Sequence, residues 1–122
     1  MSTGLYIMIY IGFSTKSHKI IAQTLCKQFR HCAPIVIKND KGIIYQFVNT
    51  NNIVKIYIKS RDIKILERYG WKFIKYNGKF APKNALKQQN IYSCVQFTKR
   101  ACGIKKITIQ TPDGLFRFLN TK

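Results

Sequence analysis

Ala33-Pro34-Ile35-Val36-Ile37-Lys38-Asn39-Asp40-Lys41-Gly42-Ile43-Ile44-Tyr45-Gln46-Phe47-Val48 is the stretch whose reading decides the fold. Two runs rich in β-branched and aromatic residues, 33–38 and 43–48, flank a polar turn carrying Asn39, Asp40 and Gly42. β-Branched and aromatic side chains suit a pleated surface, and Asn, Asp and Gly tolerate the backbone of a tight reversal. The stretch therefore predicts a β-hairpin. Pro34 has no N–H for a ladder, which places it at a strand start or an edge.

Downstream, Val54, Ile56 and Ile58 alternate with Lys55, Tyr57 and Lys59, the period of a half-buried strand. Ser60 is positioned to cap a short helix over residues 61–69, ended by Gly70. Residues 71–76 read as a strand closed by Asn77-Gly78, and the polar stretch 79–91, with Pro82, as a surface loop. Residues 94–102 have helical spacing and a glycine, Gly103, just past their end. Residues 105–110 read as a short strand. Thr111-Pro112 opens a last helix, with a capping Thr and Pro in the first helical position. Upstream, the apolar run 5–13 reads as a strand. Behind Ser14, Thr15 and Ser17, the spacing of Ile20, Ile21, Leu25 and Phe29 predicts a helix over residues 17–29. The order is that of an α+β fold, a small, mostly antiparallel sheet with helices packed on it.

A chain of 122 residues is read as a single domain, 1–122, and a hydrophobic fraction of 46% is enough for a core and argues against disorder. Against 4 Asp+Glu stand 22 Lys+Arg, a formal charge of +18. Such a field attracts polyanions, so non-specific nucleic acid held through the basic surface is one partner reading. The cations run from Lys16 to Lys122 without a block, and Lys, Ile, Asn and Tyr are what AT-rich coding favours, so composition alone also accounts for the charge. So few acids leave little room for paired-carboxylate or magnesium chemistry. Residues 5–13 are too short to span a bilayer and lack the basic start and cleavage site of a signal peptide. The expectation is an intracellular, cytoplasmic protein with no membrane span and with reduced thiols.

The residue with most chemistry attached is Cys94, at the start of the 94–102 helix. Unpaired N–H groups and the helix dipole favour a thiolate there, and the same N–H groups can hold an oxyanion. Its plainer reading is a small buried hydrophobe. A thiolate nucleophile needs a base, and the two histidines are His18 and His31. His18 falls in the first turn of the 17–29 helix, on a solvated face. His31 lies where that helix gives way to a strand, an element end of the kind that carries function. A third, orienting group is expected, with Gln46 first and Asn49 close behind, since an amide can accept from an imidazole N–H without adding charge. Cys26, Cys32, Cys94 and Cys102 contain no C-x-x-C pair, so neither zinc nor any other cofactor is expected. Trp71 and Phe73 share one side of their strand, with Lys72 opposite. That pattern fits a core strand better than a stacking surface for single-stranded nucleic acid.

Cys94-Val95-Gln96-Phe97-Thr98-Lys99-Arg100-Ala101-Cys102-Gly103-Ile104, followed by Thr111-Pro112-Asp113-Gly114-Leu115-Phe116, resembles the C-terminal signature of circularly permuted papain-like proteins, the small phage and bacterial members. Phe29-Arg30-His31-Cys32-Ala33-Pro34-Ile35 resembles their His-bearing strand, upstream of the Cys because of the permutation, and the hairpin matches the strand that bears their third polar residue. The likeness covers roughly residues 30–119. It implies a permuted papain-like fold and a Cys-His hydrolase or transferase, or its inactive descendant, acting on a peptide, amide or ester. Cys94 would be nucleophile, His31 general base and Gln46 orienter. The alternative from another class is a small basic nucleic-acid-binding protein without catalytic activity.

Overall fold

The computed structural model describes residues 7–15, 31–87, 91 and 93–120. Among them five strands form one antiparallel sheet: β1 (Ile7–Ser14), β2 (His31–Lys38), β3 (Lys41–Asn49), β4 (Asn52–Lys59) and β5 (Trp71–Tyr76), in the spatial order β4-β3-β2-β1-β5. Four helices accompany them: α1 (Asp62–Arg68), α2 (Pro82–Lys87), α3 (Cys94–Cys102) and α4 (Pro112–Asn120). The α+β architecture expected from the hairpin is the one observed. The helix expected over residues 17–29, with His18 and Cys26, lies outside the described residues.

The hairpin closes on Lys38↔Lys41, so its loop is Asn39-Asp40 alone, with Asn39 at φ 57°. Asparagine is among the few residues that accept this left-handed backbone cheaply. Gly42 falls inside β3, where Ile58 and Ile37 press on it. Pro34 is the fourth residue of β2, buried and opposite Ile11, not at the strand start. The β2–β3 ladder begins only at Ile35, one residue later, so the strand is locally an edge where the proline N–H is missing.

Strand alternation sorts the core into two faces. On one, Ala33, Ile35, Ile37 and Ile44 pack with Ile63 and Leu66 of α1 and with Trp71 and Phe73. Those two rings stack, with centroids 5.9 Å apart and planes 9° apart, over Gly12. A Cβ at Gly12 would lie 2.8 Å from Phe73 Cε1, which is why this central strand has no side chain there. The other face carries Ile11, Phe13, Cys32, Tyr45 and Phe47 beneath α3 and α4, whose Val95, Phe97, Ala101, Leu115 and Leu119 fill the space.

Three local expectations are corrected. Residues 82–87 form helix α2 rather than loop, because Pro82 takes the first helical position, where its missing N–H costs nothing. Ala81 N–H donates to Ala101 O at 2.7 Å, tying this helix to α3. Residues 105–110 are turn and irregular chain, not a strand. The Lys99 ammonium donates to Lys106 O (2.8 Å) and Ile109 O (2.7 Å), satisfying carbonyls that a strand partner would otherwise take, and Ile107 is 82% exposed. Ser60 does not cap α1. Its hydroxyl donates to Asp40 Oδ1 at 2.7 Å, while Asp62 Oδ2 accepts from Lys59 N–H at 2.9 Å. No helix among the described residues is long and apolar enough to cross a membrane.

Candidate active site

Helix α3 begins where the sequence places it. Ser93, extended at φ −151°, is the N-cap, and its hydroxyl accepts from Gln96 N–H at 3.0 Å. Gly103 ends the helix at φ 70°, and Ile104 N–H returns to Lys99 O at 2.8 Å. Tyr76 of β5 donates its hydroxyl to Cys102 O at 2.6 Å, fixing the far end of the helix to the sheet. Both ends of α3 are thus held, and Cys94 occupies its first turn. Removing the cap by Ser93→Ala is expected to lower stability by about 1 kcal/mol, read from the midpoint of chemical denaturation.

Cys94 is half-buried against the core cluster that contains Cys32. Its thiol is held well below the ordinary thiol range. The largest cause is a hydrogen bond from the Cys32 thiol. Burial opposes it, and a hydrogen bond and positive charge from the His31 imidazole and the Cys32 backbone N–H act in the same direction as the first. Cys32 moves the opposite way. Burial, then the hydrogen bond and charge of Cys94, push it well above the usual value. Of this coupled pair, Cys94 is the thiolate and Cys32 the donor, because only Cys94 stands at a helix N-terminus. Cys102, 2% exposed at the other end of α3, is pushed up to about 12 by burial and stays a thiol.

His31 is the first residue of β2, opposite Ser14 of β1, which in turn lies opposite Trp71 of β5. Its ring meets the Trp71 indole edge-on, with centroids 6.0 Å apart. From the end of the strand the imidazole also acts on the Cys94 thiol, lowering its pKa. Sequence reasoning paired Cys94 with His31, and the imidazole is one of the groups that lower the Cys94 thiol pKa. Gln46 is a half-buried residue of β3, paired with Val54 of β4 and sharing the sheet face of Ile44. Asn49 is exposed at the end of β3, opposite Asn52 beyond a register shift.

Two participants were not read from sequence. Cys32 is 1% exposed, with Sγ 3.7 Å from Thr98 Oγ1. Thr98, fully buried one turn beyond Cys94, donates its hydroxyl to Cys94 O at 2.8 Å. The available signal was Thr98 four residues after Cys94, which shares its helix face, together with Cys32 as an inward neighbour of His31. Among the described residues no three His, Cys, Asp or Glu side chains converge as a metal cage. No family model, curated protein or solved structure matches the chain.

Proposed function

We propose that the chain is a cysteine hydrolase of permuted papain-like type, acting on an amide or ester. The observation that carries this reading is the Cys94 thiol in the first turn of a capped helix, its acidity raised by Cys32 and by the His31 imidazole. The thiolate attacks the substrate carbonyl carbon. N–H groups at the start of α3 receive the negative charge on the carbonyl oxygen; the Ser93 cap engages those of Gln96 and Phe97, not that of Cys94. The His31 imidazolium gives its proton to the leaving amine or alcohol. The neutral imidazole then takes a proton from the water that releases the acyl group. Gln46, on the same sheet face as His31, is assigned in this reading as the residue that orients the ring.

An activated aryl ester tests this directly. Mass spectrometry should find a transient acyl group on Cys94, absent from Cys94→Ser, and formed and released about 100-fold more slowly in His31→Ala. Acylation of another residue, or acylation and release at rates indifferent to His31, would overturn the reading.

The alternative of a nucleic-acid-binding module finds less support. Exposed Lys55 and Lys59 lie on the Tyr45 face of the sheet, while exposed Lys75 lies on the Tyr10 face. This is a diffuse field rather than one basic surface.

A further inference from the structure

We infer that Cys32 and Cys94 form a dithiol oxidised by hydroperoxides, with Cys94 taking the oxidant and Cys32 closing an intramolecular disulfide. The inference stands on the placement of both cysteines beside Thr98 and does not require that Cys94 turn over an acyl substrate.

Cys32 Sγ lies against Thr98, and Thr98 and Cys94 share one helix face a single turn apart. Cys94 packs against the cluster holding Cys32, and each of the two thiols shifts the acidity of the other. A bridge requires the two sulfurs to close to about 2.05 Å. Access divides their roles. Cys94 is half-buried and within reach of a small oxidant, whereas Cys32 is 1% exposed. Cys102 is no competitor, since it lies at the opposite end of α3, about 12 Å along the helix axis.

In the first step the Cys94 thiolate attacks one oxygen of the hydroperoxide. An S–O bond forms, the O–O bond breaks, and the departing oxygen leaves as an alcohol or water after taking a proton. In the second step the Cys32 sulfur attacks the Cys94 sulfenic acid. The S–S bond forms, the S–O bond breaks, and hydroxide leaves as water with the Cys32 proton. Two thiols are oxidised by two electrons and one peroxide is reduced.

The test uses the full reduced chain and stoichiometric hydrogen peroxide, followed by alkylation and peptide mapping without reductant. The expected product is lighter by two hydrogens, joins the Cys32 and Cys94 peptides, and returns to the thiols with dithiothreitol. Cys32→Ser should instead hold one added oxygen on Cys94, trapped by dimedone. A bridge from Cys94 to Cys26 or Cys102, oxygenated Cys94 beside an unreacted Cys32, or no oxidation would each overturn the inference. If Cys32→Ser does not fold, the wild-type map decides alone. Acylation of Cys94 is read in a separate experiment, so failure of the hydrolase reading and failure of this one are distinguishable.

Discussion

Replacing Phe97 by alanine is expected to lower stability by about 3–5 kcal/mol, a loss typical of deleting a buried aromatic ring. Phe97 is fully buried in the middle of α3, among Tyr45 and Phe47 of β3, Ala85 of α2, Ile91 and Ala101. Its ring centroid lies 6.3 Å from that of Tyr45, which itself meets Phe80 edge-on at 5.6 Å. Three elements would lose contacts at once, and none can collapse into the gap, because α3 is fixed at Ser93 and at Tyr76. With total stability of about 5–15 kcal/mol for a typical domain, the variant would be marginal or unfolded. Chemical denaturation followed by circular dichroism measures the loss; a change below about 1 kcal/mol would contradict the packing described.

The second large effect concerns reactivity. At pH 6 Cys94 should alkylate at least about tenfold faster than a free thiol, since ordinary thiols are almost wholly protonated there. The sign follows from the folded thiol. Its depressed pKa means that the thiolate survives as pH falls below the usual thiol range and is lost only on passing the folded value. His31→Ala removes both a hydrogen bond and a positive charge from the sulfur, so the rate at pH 6 should drop by about tenfold and its pH profile should move to higher pH. Cys102, held as a thiol up to about 12, should stay unmodified throughout. Iodoacetamide kinetics resolved by peptide mass separate these cysteines. A His31→Ala profile identical to wild type would show that the imidazole does not act on the sulfur.

The elements legible in sequence were those whose local signals agree with their tertiary setting. The bounds of α3 follow from Ser93, the helical spacing and Gly103, and all three act in the folded chain as they read in isolation. The hairpin likewise follows from Asn39-Asp40 between β-branched runs. Pro82 misled because proline marks both loops and first helical turns, and only the seat of α2 against α3 decides between them. Ile107 and Ile109 mimicked strand alternation, yet the carbonyls around them are held by one lysine side chain, a distant partner that no local pattern announces. In the site, Cys94 at a helix start was visible. Its meeting with His31 and Cys32 depends on β2 lying beneath α3, a long-range packing fact.

The placement of β1 between β2 and β5 has a kinetic consequence. Ile11 pairs on one side with Pro34 and on the other with Ile74, so β1 cannot complete its hydrogen bonds until much of the chain has been synthesised. At ribosomal speeds the interval between Ile11 and Ile74 is roughly 3 to 12 s. Helix α3 emerges later still, and it needs the finished sheet face to pack upon. Non-local pairing of this kind makes folding comparatively slow. The nascent Cys94 therefore leaves the ribosome as an ordinary thiol and acquires its acidity in the last stage of assembly.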